Sequence, residues 1–435
     1  MRRYLEVLRD GPFAALWFGS TLSAVGDTLT WVALVWLVIE TTGDVDAVAG
    51  LVVAYTAPVF VGGLVMGSLL DRFDRRRVLI AVNVALGCSV ATVPVLAQAG
   101  ALRPWHLSAV AAIYGLLKMA NWAGVPSLIP VLVPEQHLTT ANALESATFG
   151  IAEIAGPAVA GVLIALVGGE SVLAVDAATY LLFVGVLTRL RIPREEASDG
   201  DLASRSSLRP AFAFVRQQPA ILATTLMFMA ANVGEGMLLV LLPTLARRVL
   251  GGGVQTYGVL LSTFAVSVTV GSFVVGSLVW RRPLGRSIAV AQTATGIALV
   301  GLAFAPGLVG AAAVLAVAGV CVSPMTIWAQ TIRMRVIPPE LRGRTFGVLR
   351  TLMQSTPPLG GAIAGALLSD RGSVVVTVLC VAAWMTLPGV VGLVVPALDD
   401  RFTGALQAQR DADRDVAGRG RLPGTHDGGA GSGAR

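Results

Sequence analysis

Long apolar runs dominate the chain from Phe13 to Val395, broken at regular intervals by short polar stretches rich in glycine, proline and arginine. A helix that crosses a bilayer needs about 20 apolar residues. Twelve such runs can be marked, at 13–39, 48–70, 78–98, 106–126, 141–166, 172–190, 219–245, 257–280, 287–305, 308–331, 344–368 and 374–395. The pattern predicts an all-α membrane protein with twelve transmembrane helices. Two polar segments stand apart from the runs. Residues 191–218 read as a cytoplasmic linker, acidic and serine-rich at first, ending in a short amphipathic helix from Leu208 to Arg216. Residues 399–435 are polar, Gly-rich and without apolar periodicity, so a disordered cytoplasmic tail is expected.

Composition removes the soluble alternatives. Of 435 residues, 55% are hydrophobic and 13% charged, with a mean hydropathy of +0.75, which excludes an ordinary water-soluble domain. A net charge of +6 would suggest nucleic acid in a soluble protein, but here the arginines sort by side. With the N-terminus inside, 26 fall on the inner side and four (Arg103, Arg247, Arg248 and Arg371) on the outer side, with Arg350 inside helix eleven. That bias places both termini in the cytoplasm. The basic start lacks a cleavage site, so the first run is expected to remain as a helix. Cys88, Cys321 and Cys380 lie within apolar runs, without metal or redox spacing.

The chain also repeats. Val25-Gly26-Asp27 returns as Val233-Gly234-Glu235 at an offset of 208, and Gly67-Ser68-Leu69 as Gly276-Ser277-Leu278 at 209. Gly156 to Gly161 returns as Gly360 to Gly365, and Pro134 as Pro338, both at 204. Four ordered matches at near-constant spacing imply two pseudo-symmetric six-helix halves, 1–190 and 219–398. That architecture suits a transporter with its site between the halves.

Charge at bilayer depth marks the candidate chemistry. Asp27, Lys118, Glu145, Glu153 and Glu235 fall within apolar runs, with Asp176 nearer the outer surface. An ionisable residue at the centre of a spanning helix costs about 2.5–3.5 kcal/mol on insertion scales, so it faces a cavity or a partner. Lys118 stands out because 31 of the 32 basic residues are arginine, and lysine can change its charge where arginine cannot. A carboxylate in an apolar cavity can alternate between a proton and a cationic substrate. Asp27 and Glu153 lead that list, with Glu235 third. Trp31, Trp122, Phe149 and Trp328 are candidate cavity walls for an amphipathic molecule, against packing or lipid contact. The sequence carries no phosphate-binding loop and no zinc pair, and His106, His137 and His426 are isolated, so neither an enzyme nor a cofactor is expected.

The loop Gly67-Ser-Leu-Leu-Asp71-Arg72-Phe-Asp-Arg75-Arg76-Arg77 resembles the signature between helices two and three of the major facilitator superfamily. The second half keeps a copy with Trp280 in place of the aspartate. The resemblance covers nearly everything except the tail and implies a monomeric transporter in the bacterial cell membrane. It also implies that Gly67, Asp71, Arg72, Arg75 and Arg76 form a cytoplasmic gate. Lys118-Met-Ala-Asn121 is similar to the Arg-x-x-Gln of helix four in proton-coupled exporters, with Lys for Arg, Asn for Gln and Trp122 for glycine. Gly156-Pro157-Ala-Val-Ala-Gly161 resembles the helix-five signature of antiporters, with a packing seam as the plainer reading. Ala141-Asn142-Ala143 after Pro134-Glu135, the Gly26-Asp27 pair and the linker helix look most similar to the macrolide-efflux branch of drug:proton antiporters. The implied function is proton-coupled export of small amphipathic molecules. The rivals are an importer or a siderophore or lipid carrier on the same fold, and a non-transporting scaffold or sensor.

Overall fold

The computed structural model describes residues 2–9, 11–190, 209–277, 282–338, 341–369 and 372–399. Nearly all of them are helical. A short helix α1 (Arg2–Arg9) leads into α2 (Gly11–Thr42), α3 (Val45–Arg72), α4 (Arg75–Gln98), α5 (Pro104–Leu132), α6 (Leu138–Val167) and α7 (Gly169–Arg189). Beyond it come the linker helix α8 (Arg209–Gln217) and then α9 (Pro219–Thr244), α10 (Val254–Ser277), α11 (Leu284–Val300), α12 (Gly307–Val336), α13 (Arg342–Gln354), α14 (Pro357–Leu368) and α15 (Val374–Val394).

Among the described residues ten helices are long and apolar enough to span a bilayer. The chain is a multi-pass membrane protein. Two of the twelve predicted runs fall outside that ten. The run at 106–126 lies in α5, a continuous helix whose apolar content is diluted by Lys118 and Asn121. The run at 344–368 is divided into α13 and α14 at Ser355 and Thr356, just before Pro357-Pro358. Proline has no N–H to continue the ladder and its ring crowds the preceding turn. Side chains fasten the break to α9: Asn232 donates to the Met353 carbonyl at 2.8 Å, and Thr356 Oγ1 donates to the Met229 carbonyl at 2.9 Å.

Within the first half α2 packs on α5, α6 and α7, and α3 packs on α5. Gly168, at φ +83°, joins α6 to α7 without an intervening loop, a conformation that favours glycine. Across the halves α3 meets α14 and α6 meets α10. The turn bearing Arg72 to Arg77 defines an arginine-rich end of the bundle. The halves touch at the opposite end, where Arg247 donates to the Ile39 carbonyl at 3.3 Å and Gly365 abuts Ala49. The amphipathic helix α8 sets Val215 against Ile221, Ile337 and Leu349 of the second half. Large apolar side chains such as Leu166, Phe273 and Leu387 cover the outside, more apolar surface than a water-soluble monomer tolerates. The rest of the linker expected at 191–218 and nearly all of the tail lie outside the described residues.

Candidate functional site

Asp27 lies halfway along α2 and Lys118 halfway along α5, and the packing of those helices brings them together. Lys118 Nζ stands 3.7 Å from Asp27 Oδ2. Tyr180 of α7 donates to Asp27 Oδ1 at 2.5 Å. Tyr114, one turn before Lys118, accepts from its ammonium at 3.2 Å and donates to the Asp27 backbone carbonyl at 3.1 Å. Asp27 is 8% exposed, so its charge is compensated by one cation and one hydroxyl rather than by water. An ion pair this deep holds only while its partners stay in place, since removing one strands the other.

A second carboxylate sits beside the first. Asp176 is fully buried and accepts from Thr30 at 2.5 Å and from Thr179 at 2.8 Å. The sequence suggests a place for it near the outer surface; in the fold it rests on α2 instead, against Gly26. A Cβ on Gly26 would lie 1.9 Å from Asp176 Oδ1 and 2.7 Å from Thr179 Oγ1. Only glycine permits that approach.

Two cavities flank this cluster. The first encloses about 360 Å³ within the first half, and its polar wall includes Asp27, Asn121, Glu145 and Thr148. Asn121 does not reach the ion pair. It exchanges amide hydrogen bonds with Asn83 of α4, at 2.8 and 3.1 Å. The second cavity, about 530 Å³, lies between α3 and α5 of one half and α13 of the other. Trp122 lines both. The Lys118 ammonium lies 5.4 Å from its ring centroid and the Arg350 guanidinium 5.2 Å, distances at which a cation is attracted to an indole face.

The remaining candidates are spread more widely. Glu153 and Glu235 are exposed in this conformation. Trp31 meets Tyr55 in a tilted contact at 4.7 Å, and Tyr55 stacks on Tyr114 at 5.6 Å, so an aromatic row runs toward the ion pair. Trp328 is 7% exposed and packs in the core of the second half. Gly67, Asp71 and Phe149 lie on helices, but their side chains are outside the described residues.

The helix-six motif packs against its neighbours. A Cβ on Gly156 would meet Thr28 of α2 at 1.8 Å, and Gly161 faces Val254 and Gln255 of α10 at 3.1 Å. That stretch is a close seam among three helices, two in one half and one in the other. The arginines of the expected gate bind within the first half. Arg76 donates to the Leu187 carbonyl at 2.6 Å and to that of Thr188, while Arg75 reaches the Ser127 carbonyl at 3.4 Å. Cations there satisfy carbonyls near the ends of α7 and α5 and complement the helix dipoles. Arg72 is exposed.

Arg350 is the residue that sequence reasoning leaves without a role: the arginine count places it inside helix eleven, six residues into the run at 344–368.

The sequence profile of the transmembrane secretion effector family matches residues 4–408. The multidrug efflux pump Tap of Mycolicibacterium fortuitum is 26% identical over 402 residues, covering 90% of this chain and 97% of that protein. Macrolide efflux protein A of Streptococcus pyogenes is 22% identical over 369 residues, covering 82% and 89%. Among solved structures, the nucleoside transporter NupG superposes with a TM-score of 0.66 at 13% identity, covering 87% of this chain and 98% of that one. A bacterial homologue of the human lysosomal transporter Spinster, inward-facing and unoccupied, gives 0.64 at 16% identity, covering 89% and 95%. These likenesses establish the fold, a helical membrane bundle of the kind seen in those transporters.

Proposed function

The chain belongs to the transmembrane secretion effector family of major facilitator transporters, and from that membership we propose that it exports small amphipathic molecules in exchange for protons. The arginine-rich end is cytoplasmic in this reading, by the arginine bias. The halves touch at the opposite end, which fits a state that loads from the cytoplasm or inner leaflet. Residues 1–190 and 219–398 are the two rocking halves and 191–218 the linker between them.

The Asp27–Lys118 pair at mid-helix carries the proposal. Three buried carboxylates, Asp27, Glu145 and Asp176, lie in the first half with the chain's one lysine. Proton binding is the means by which such an excess reaches charge balance. Protonation of Asp27 removes the charge that holds Lys118. The relatives named for multidrug and macrolide efflux support outward movement of drug-like cargo.

The test follows lumenal pH in proteoliposomes while amphipathic compounds are added. Wild-type protein is expected to move protons with at least one compound class, and Asp27→Asn to move none at normal folding and reconstitution. Proton movement by Asp27→Asn equal to wild type would remove Asp27 as the carrier.

A further inference from the structure

We propose that the cavity between the halves is a binding site for an anionic group, held by Arg350, so that the molecule carried has a negative charge beside an aromatic or apolar body. The inference rests on the export reading and names a substrate class for it. Arg350 is the one charged side chain among those lining that cavity, whose walls include Phe60, Met119, Trp122 and Gln354. Arg350 stands one turn before the C-terminal end of α13, just ahead of the break at Ser355 and Thr356. Among the described residues its guanidinium has no carboxylate in ion-pair range, and the contact it makes is with the Trp122 ring.

The acids lie across Trp122. Asp27 and Glu145 line the first cavity and none lines the second. One indole therefore divides an acidic chamber from a basic one. Arg350 is exposed, and a guanidinium without a carboxylate partner is open to an incoming anion. Its planar fork matches a carboxylate, sulfonate or phosphate through paired hydrogen bonds. Trp122 and Phe60 then offer flat apolar walls to the body of the guest. Gln354, one turn beyond Arg350, supplies a neutral polar group on the same wall.

Fluorescein and rhodamine 6G share a xanthene frame and carry opposite charge, so the pair isolates the charge preference. Fluorescence anisotropy of each dye is measured against the purified full-length protein in maltoside micelles. Wild type is expected to bind fluorescein. Arg350→Gln should weaken fluorescein about tenfold or more and leave rhodamine 6G within about twofold, while Arg350→Lys should keep an intermediate affinity for fluorescein. The proposal is overturned by wild type that does not bind fluorescein, by Arg350→Gln with unchanged fluorescein affinity, or by equal weakening of both dyes. A further arm adds phosphatidylglycerol: unchanged fluorescein binding supports a transported acid, and displacement assigns the site to a lipid head group and overturns it. Absence of proton-coupled transport with dye selectivity intact would sink the export reading and leave the anion site standing.

Discussion

Each half carries a Val-Gly-acid tripeptide, with aspartate in the first and glutamate in the second, and the two do different things. Gly26 and Gly234 stand 208 residues apart and each lets a neighbouring helix come close. In the first half the neighbour is Asp176; in the second it is Met385, 209 residues further on. Tyr180, whose hydroxyl holds Asp27, has Gly389 at the same spacing. Asp27 is accordingly buried and clamped, whereas Glu235 is exposed. Duplication preserved the backbone approach, because a small residue at a helix crossing is a requirement of packing. Changing the residue that fills the crossing decided the chemistry. The first half fixes its charge in place, and the second leaves its carboxylate exposed.

The largest test of that contrast is transport. Asp27→Asn should reduce substrate-driven proton movement to background, while Glu235→Gln should retain a measurable fraction, both read in proteoliposomes at equal protein loading. Equal loss in both would erase the distinction between a clamped and a presented carboxylate. Next is packing, read by thermal unfolding in detergent. Gly26→Ala drives a methyl into the Asp176 carboxylate and should cost about 1–3 kcal/mol, the usual range for overpacking. Gly234→Ala meets the flexible end of Met385 at 2.9 Å and should cost less than about 1 kcal/mol. A greater loss for Gly234→Ala would reverse the assignment of the rigid side.

Tyr180→Phe sharpens the contrast further. It removes the hydroxyl that the second half lacks, and interhelical side-chain hydrogen bonds in membrane proteins are worth about 0.6 kcal/mol on average and 1.7 at most. A small drop in melting temperature is expected, together with a slowed proton step. An unchanged proton rate would show that Lys118 alone positions Asp27. The smallest effect belongs to the surface. Arg286 and Asp399 form an ion pair at 3.1 Å with the arginine half-exposed, and such pairs contribute about 0–1 kcal/mol. Asp399→Asn should leave both melting temperature and transport at wild-type values.

Much of this was legible before any coordinates. Eleven of the twelve predicted runs correspond to unbroken described helices, with ends within a few residues, because apolar run length is a local property set by bilayer thickness. The division of the eleventh run also had a local signal in Pro357-Pro358. The candidate charges were visible for the same reason: each interrupts an apolar run. Their partners were not. Lys118 meets Asp27 across 91 residues of sequence and Tyr180 meets it across 153, separations at which no residue spacing encodes contact. Asn121 read as part of the charged site, yet it pairs with Asn83.

By itself, then, the sequence determined the solvent, the helices, the repeat and the arginine bias, all of which follow from residue types counted along a line. The tertiary structure decided which carboxylate is clamped, that Asp176 stands beside Asp27, and that Arg350, itself exposed, lines a cavity with Trp122. Those outcomes depend on which helix faces meet. Helix rotation and crossing are set by the summed packing of side chains far apart in the chain, so the pairing of charges becomes fixed only once the bundle is assembled.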